Sequence, residues 1–157
     1  MFRLFNASKP TDLQQQLAAV PLFSTLSPRE QKIVSALVHP RRVLAGEIIF
    51  DEGEEGQAIY AVFSGKVMIC HQGQTESPIA YAERGRIFGE LALIDGGPRS
   101  AQARAVADCE LGVMFRGDFE NLMRSHAVIA TKISFQLAKY YAGIIRQMAS
   151  QFSGTIK

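Results

Sequence analysis

Between Arg41 and Gly85 the sequence restricts the chain to few folds, because short apolar stretches alternate there with glycines. The stretches have the length and the β-branched or aromatic content of strands: Val43 and Leu44, Ile48 to Phe50, Ile59 to Phe63, Val67 to Cys70, and Ile79 to Ala82. Glycines separate them at turn positions: Gly46, Gly53, Gly56, Gly65, Gly73 and Gly85. Many short strands joined by tight turns predict a small antiparallel barrel or double-sheet roll.

Two short helices are predicted before these strands. Thr11 or Asp12 can cap the first helix, which ends at Pro21 and has apolar residues at helical spacing: Leu13, Leu17 and Val20. The second begins at Ser27 to Glu30, where a serine cap, a proline in the first turn and a glutamate three residues after the cap predict a capping box. His39-Pro40 is expected to end it after the apolar positions Ile33, Val34, Leu37 and Val38.

The C-terminal part completes the predicted fold. After Arg99, strands from Ala101 to Val106 and from Glu110 to Phe115 close the roll, a short helix follows from Gly117, and a long helix extends from His126 to about Ser150. We therefore predict an α+β protein: an antiparallel β-roll, that is, a jelly-roll-like double-sheet barrel, with N-terminal helices, a short helix before Arg99 and a long C-terminal helix.

The apolar stripe of the long helix is wider than packing against one core requires: Ile129, Ile133, Leu137, Tyr140, Tyr141, Ile144, Ile145, Met148 and Phe152. A broad core helix would explain it, and so would a helix that packs on its own roll with one side and on a second copy with the other. Steps of four and three are typical of a coiled-coil seam, here Ile133, Leu137, Tyr140 and Ile144. We expect a homodimer formed through this helix.

The stretch from Phe88 to Ala101, FGELALIDGGPRSA, concentrates residues that suit an anionic ligand. It contains a short apolar helix (Glu90 to Ile94), a turn (Asp95 to Pro98) and then Arg99 at the start of a strand. Gly89 lets the backbone approach a ligand closely, and the first N–H groups of the helix after it lack intrahelical partners. The planar guanidinium of Arg99 matches two phosphate oxygens.

A carboxylate beside such a site is suited to a sugar hydroxyl, as acidic residues are to ribose in dinucleotide sites. Glu90 and Arg99 together therefore favour a nucleotide pocket. The same two residue types are also common on solvated surfaces, in the first turn of a helix and at the start of a strand, so their chemistry alone leaves both interpretations open.

The same stretch resembles the phosphate-binding cassette of the cyclic nucleotide-binding domain family, which includes catabolite activator protein and the regulatory subunits of protein kinase A. The resemblance extends upstream through LAGEIIFDEGEEGQAIYAVFSGKVMI and covers about Leu22 to Ala149. It implies that Glu90 takes the ribose 2′-hydroxyl, that Arg99 and the neighbouring backbone hold the cyclic phosphate, and that the C-terminal helix closes over the base. The ligand-binding residues it implies are Phe88, Gly89, Glu90, Leu91, Ala92, Arg99, Ser100 and Ala101.

The contacts to the base depart from the family pattern. In catabolite activator protein, hydroxyls on the long helix reach adenine, and the shared run Gln136 to Lys139 puts Ile144 and Ile145 at those places. We therefore expect stacking and apolar contact with the base, with Tyr140 or Tyr141 nearby. Ser100 is expected to contact the phosphate or a syn purine, and cyclic AMP is predicted over cyclic GMP. Gln102, just after the cassette, has no predicted role.

Composition limits the functional classes. The 157 residues carry a net charge of +2 with scattered Lys and Arg, which gives no basic face for DNA, and no apolar run reaches membrane-spanning length. Two cysteines without a CxxC spacing fit a reducing compartment, so a cytoplasmic protein is expected. The predicted organisation is an N-terminal helical extension (1–21), the cyclic nucleotide-binding domain with its C-terminal helix (22–150) and a polar tail (151–157).

The predicted function is a non-enzymatic sensor of a cyclic mononucleotide that signals through a helix rearrangement to a dimer interface or an unidentified effector protein. The alternative is the ligand-sensing fragment of a larger DNA-binding regulator or channel; no helix-turn-helix follows the long helix in this sequence. No metal or cofactor beyond the nucleotide is expected, because His39, His71 and His126 lack ligand spacing and no nucleophile is paired with a base. The acidic turn from Asp51 to Glu55 lacks the pattern of a calcium loop.

Overall fold

Within residues 10–153 the chain forms eight strands, which pair into two antiparallel four-stranded sheets. The computed structural model describes residues 10–153. Its elements in chain order are α1 (Pro10–Ala18), a 3-10 turn (Pro21–Phe23), α2 (Pro28–Ser35), β1 (Val38–Val43), β2 (Ile48–Phe50), β3 (Ala58–Ser64), β4 (Lys66–Cys70), β5 (Ala80–Glu83), β6 (Ile87–Phe88), α3 (Leu91–Asp95), β7 (Gln102–Ala105), β8 (Cys109–Phe115), α4 (Arg116–Ser125) and α5 (Ala127–Ser153).

The first sheet has the strand order β1-β8-β3-β6 and the second β2-β7-β4-β5. Both are antiparallel throughout; β8 pairs with β1 and β3 in the first sheet, and β4 pairs with β5 and β7 in the second. The predicted α+β fold with an antiparallel roll is confirmed. The roll consists of two sheets that face each other, and within residues 10–153 they do not close into one continuous barrel.

Two layers of core explain why β3 is buried and largely apolar from Ala58 to Phe63. Tyr60 and Val62 face the second sheet, whereas Ile59, Ala61 and Phe63 face the helices. Because successive side chains of a strand point to opposite faces, a strand between two cores needs apolar residues at every position. One core therefore lies between the sheets and the other between the first sheet and the helices.

The capping box of α2 is present as predicted. The hydroxyl of Ser27 accepts a hydrogen bond from the Glu30 backbone N–H at 3.3 Å, and the Glu30 carboxylate accepts one from the Ser27 N–H at 3.0 Å. The predicted cap of α1 is wrong, because that helix begins at Pro10 and so Thr11 and Asp12 lie in its first turn. It ends at Ala18, before Val20.

The predicted end of α2 is also wrong. The helix stops at Ser35, and Val38, His39 and Pro40 belong to β1, where Pro40 pairs with Gly112 of β8. β1 is an edge strand, where a proline is tolerated because one side of the strand needs no hydrogen-bond donors.

The long helix packs the predicted seam against its own domain. Ile133 and Leu137 are only 1% and 5% exposed and belong to the core shared with α1, α2 and the first sheet. Lys132 of this helix also binds Glu30 of α2, with 2.6 Å between Nζ and Oε1. The seam predicted for a dimer thus serves the intramolecular core.

α5 continues to Ser153, three residues beyond the expected end near Ser150. Residues 1–9 of the predicted N-terminal extension and 154–157 of the predicted tail lie outside the described residues. In the described range, none of the helices has the length and apolar character needed to cross a membrane.

Candidate functional site

The cassette, residues 88–101, is built on a backbone that needs glycine at its start. β6 ends at Phe88, and Gly89 then adopts φ +73°, a left-handed conformation that side chains rarely adopt. A Cβ atom at Gly89 would lie 2.6 Å from Nη1 of Arg99. Glu90 follows as the N-cap residue of α3, and Gly96 ends that helix in a left-handed conformation with φ +64°. The glycine expected to allow close approach is therefore packed directly against the arginine.

Arg99 is 7% exposed and is held by the backbone beneath the cassette. Its Nη1 donates to the Gly89 carbonyl at 2.9 Å and its Nη2 to the Ala58 carbonyl at 2.8 Å. The guanidinium carbon lies 4.0 Å from the ring centroid of Phe50, a cation–π contact. Burial lowers the pKa of Arg99, and the nearby Tyr60, Glu54 and Glu90 oppose that shift.

One nitrogen of the Arg99 guanidinium makes no hydrogen bond among the described residues. Nε is buried and has no hydrogen-bond partner in the part of the chain that the structure describes. A buried unpaired donor is costly, and most such groups in folded proteins are paired. The guanidinium therefore presents a fixed positive charge with hydrogen-bonding capacity to spare, which suits an anionic ligand.

The backbone of Arg99 is clamped by the loop after β2. Its N–H donates to the Glu54 carbonyl at 2.7 Å, and its carbonyl accepts from the Gly53 N–H at 2.8 Å. Gln102, which had no predicted role, is 4% exposed and donates through Nε2 to Oδ1 of Asp51 in the same loop. Gln102 thus ties β7 to the loop that holds the arginine.

All eight predicted ligand-binding residues line a single cavity of about 420 Å³. This volume lies within the range of roughly 300–1,000 Å³ that is common for small-molecule sites. Arg99 and Glu90 supply charges of opposite sign. β5 adds Ala80 to Glu83 to the wall and β4 adds Ile69, which gives this side of the cavity a largely apolar surface. The cavity can hold a ligand with an anionic group, a hydroxyl group and a flat apolar part.

The long helix contributes Tyr140 to the cavity wall. Burial raises the pKa of Tyr140, Glu90 raises it further, and Arg86 lowers it. Tyr141 packs edge-on against the Tyr140 ring, with 5.6 Å between centroids. Ile144 and Ile145, which the family resemblance puts at the places of base-contacting hydroxyls, do not line the cavity.

Sequence reasoning missed further contributions to the site besides Gln102 and the wall from β4 and β5. Phe50 and the Ala58 carbonyl contact the Arg99 guanidinium from β2 and β3. Arg86, on the turn before β6, lines the cavity as a second cation. An aromatic residue next to a turn and a backbone carbonyl have no signature in a single sequence, whereas a cation three residues before Gly89 could have been noted.

The fold and this cavity define a double-sheet β-roll domain with a site of the size that small molecules occupy. A model of the cyclic nucleotide-binding domain matches residues 40–126, more than half of the chain. The chain belongs to the cyclic nucleotide-binding domain family, as the sequence resemblance implied.

Individual proteins agree with this family assignment. The chain is 40% identical over 121 residues to the cyclic AMP receptor protein of Thermus thermophilus, a match that covers 76% of this chain and 56% of that protein. It is 36% identical over 107 residues to the cAMP-dependent protein kinase regulatory subunit of Emericella nidulans, covering 68% of this chain and 26% of that protein. The matched region is thus 56% of the length of the receptor protein and 26% of the length of the kinase subunit.

A solved structure supports the fold. The crystal structure of a cyclic nucleotide-binding domain from Methylobacillus flagellatus superposes with a TM-score of 0.80, over 94% of this chain and 86% of that chain. The sequence identity is 20%, so this similarity concerns the fold alone.

Proposed function

We propose that the cavity binds a cyclic mononucleotide, with cyclic AMP preferred over cyclic GMP. The observation that carries the proposal is the buried guanidinium of Arg99, whose Nε has no hydrogen-bond partner among the described residues, together with the position of Arg99 and Glu90 in the wall of one cavity. The cyclic phosphate would bind Arg99 and the cassette backbone, and the ribose 2′-hydroxyl would donate to Glu90. The base would lie against β4, β5 and Tyr140. Both curated relatives described above are named for cyclic AMP, which supports the adenine preference.

Calorimetric titration with cyclic AMP and, separately, cyclic GMP tests this proposal. Saturable binding with a lower Kd for cyclic AMP is expected. Arg99→Ala should weaken that binding by roughly 2–5 kcal/mol, because it leaves the phosphate unpaired in a desolvated site. Arg104→Ala is the matched control, since Arg104 lies on neighbouring β7 and does not line the cavity. Equal affinities of wild type and a folded Arg99→Ala variant would contradict the proposal.

The proposed output is a non-enzymatic change in the position of α5. A ligand shifts a conformational equilibrium only by its differential affinity for the two states. α5 meets the cavity through Tyr140 and meets α2 through the pair between Lys132 and Glu30. A nucleotide that contacts Tyr140 can therefore favour one arrangement of this helix. Amide hydrogen exchange with and without cyclic AMP should show changed protection in both the cassette and α5.

The proposed partner is a second copy of this chain, which would pack against α5 to form a homodimer. The face of α5 that would form the contact differs from the seam predicted from the sequence. Four large apolar residues on this helix are 60–69% exposed: Val128, Phe135, Ile145 and Phe152. Their separations of 7, 10 and 7 residues follow a heptad pattern, so two copies could pack these faces as a coiled coil. Ile145→Glu should shift the mass measured by light scattering from dimer to monomer. Ile79→Glu, also at an exposed isoleucine, should not.

The second candidate function is the sensor part of a longer DNA-binding regulator or channel. The observation that favours it is coverage, because the matched receptor protein and kinase subunit are both longer than the matched region. An open reading frame that continues beyond the codon for Lys157 would support this candidate. In either case the effector protein is unassigned, and two buried free cysteines agree with the proposed cytoplasmic location.

A further inference from the structure

A second arginine lines the cavity besides Arg99. Arg99 is buried and held by two backbone carbonyls, whereas Arg86 is exposed. Within residues 10–153 the Arg86 side chain makes no hydrogen bond or ion pair, and Glu83, three residues before it, pairs with Lys66 at 3.4 Å between Nζ and Oε1. Among the described residues the N–H groups of the Arg86 guanidinium therefore have no competing acceptor, and a ligand can use them.

The backbone of Arg86 is fixed, so its side chain starts from a defined place. Gly85 adopts φ +84° in the turn between β5 and β6, and its N–H donates to the Val62 carbonyl at 2.8 Å. The Arg86 carbonyl accepts from the Val62 N–H at 2.9 Å, and the Arg86 N–H donates to the Glu83 carbonyl at 2.9 Å. These bonds tie the turn to β3 and to the end of β5. The cation at the cavity wall is therefore carried by an anchored turn.

This turn lies at the base end of the cavity rather than at the phosphate end. β6 separates Arg86 from Gly89, where the cassette begins, and three residues of extended chain span about 10 Å. The turn directly follows β5, whose residues Ala80 to Glu83 form part of the wall against which the base is proposed to lie. Tyr140 of α5 lines the same cavity. Arg86 is therefore placed to meet the edge of a base and not the cyclic phosphate.

A guanidinium distinguishes the two purines by their hydrogen-bonding edges. Guanine presents two neighbouring acceptors, O6 and N7, and an arginine can donate to both at once. Adenine presents N7 as an acceptor but its 6-amino group as a donor, and a guanidinium has no acceptor to offer that donor. An arginine at the base end of the cavity therefore adds affinity for guanine and little for adenine.

We propose that Arg86 is a base-selecting residue: its guanidinium donates to O6 and N7 of guanine and so brings the affinity for cyclic GMP closer to that for cyclic AMP. The inference rests on the proposed cyclic nucleotide function and deepens it. The effect of Arg86 opposes the adenine preference that the names of the relatives support. Removal of Arg86 should therefore widen the difference in affinity between the two nucleotides.

The test measures, by calorimetry, the dissociation constants of wild type, Arg86→Ala and Arg86→Gln for cyclic AMP, cyclic GMP and cyclic IMP. Arg86→Ala should raise the constant for cyclic GMP about five- to tenfold and leave that for cyclic AMP within about twofold. Cyclic IMP has the O6 and N7 of guanine without its 2-amino group, so it should lose affinity by the same factor as cyclic GMP. Arg86→Gln should widen the difference further, because an amide matches the 6-amino group and N7 of adenine.

Arg84→Ala is the matched control, because Arg84 is an exposed arginine of the same turn that does not line the cavity; its constants should stay near those of wild type. An equal loss of all three nucleotides in Arg86→Ala would mean that Arg86 acts on the phosphate, and unchanged constants would mean that it contacts none of them. Either result overturns the base-selecting role while leaving nucleotide binding intact. Absence of binding by wild type would instead overturn the proposed function.

A measurement on wild type covers the case in which the Arg86 variants do not fold. In 7-deaza cyclic GMP a C–H group replaces N7, so this ligand should bind about fivefold or more weakly than cyclic GMP. The same replacement in cyclic AMP should change the affinity by no more than about twofold. Equal affinities for cyclic GMP and its 7-deaza analogue would refute the inference.

Discussion

Gly89→Ala tests whether the contact between the cassette backbone and Arg99 is as tight as the structure has it. An alanine at φ +73° costs about 1–2 kcal/mol from backbone sterics alone. Its Cβ would also lie 2.6 Å from Nη1 of Arg99, a distance that forces the guanidinium away from the Gly89 carbonyl. Overpacking of this kind costs about 1–3 kcal/mol, so the unfolding free energy should fall by roughly 2–5 kcal/mol in total.

Gly73→Ala isolates the contact with Arg99. Gly73 has nearly the same backbone angle, φ +77°, but a Cβ there meets nothing within 4 Å. Its substitution should therefore cost only the backbone contribution of about 1–2 kcal/mol. Urea denaturation followed by circular dichroism gives both values, and the difference between the variants measures the clash.

The affinity for cyclic AMP provides a second test with the same two variants, Gly89→Ala and Gly73→Ala. Displacement of Arg99 in Gly89→Ala should weaken cyclic AMP binding about tenfold or more, the equivalent of one charge-assisted hydrogen bond. Gly73→Ala should leave the affinity unchanged, because Gly73 does not line the cavity. The reasoning fails if both alanine variants lose the same unfolding free energy, since the contact with Arg99 would then have no energetic consequence.

Two further predictions concern charge and thiol chemistry. The hydrogen bond from Lys132 and, to a smaller extent, that from the Ser27 backbone lower the pKa of Glu30 from 4.5 to about 2. The stability that these bonds provide is therefore present above pH 4.5 and is lost as the pH falls towards 2. Lys132→Met should therefore flatten the pH dependence of the unfolding free energy in that window, and an unchanged dependence would contradict the assignment. Cys70 and Cys109 are buried, and burial raises the pKa of Cys109, so both should react with an aromatic disulfide reagent only after denaturation; rapid reaction in the folded protein would contradict their burial.

Local patterns in the sequence predicted most of the strands and the start of α2. The capping box joins two residues that are three positions apart, and each strand appears in the sequence as a short stretch of apolar side chains. Both can therefore be predicted from neighbouring residues alone. Pro40 was misread because its place in β1 depends on pairing with Gly112, 72 positions away. β6 was missed because it is two residues long, Ile87–Phe88, and exists through its pairing with β3.

The candidate site also has a part that the sequence predicted and a part that depends on distant residues. Its eight residues are consecutive or nearly so, and the family resemblance therefore identified them together. The supports of Arg99 could not be predicted, because Phe50 and Ala58 reach it from distant strands and one of them contributes only a carbonyl. Ile133 and Leu137 were predicted to lie in a dimer seam but pack in the core of their own domain, because their spacing is the same whether they meet another helix or their own core.

The proline of β1 also bears on how copies of this protein can associate. β1 is the outer strand of its sheet, and in its middle Pro40 offers no N–H while Arg41 and Arg42 are exposed. An extended strand from a neighbouring molecule would meet an interrupted row of donors and a local positive charge that repels its own counterpart. Aggregation by pairing of strands from further copies at this edge is therefore disfavoured, even in concentrated solution. The homodimer proposed through the exposed face of α5 would instead pair two helices, an arrangement that leaves no free strand edge for further copies to join.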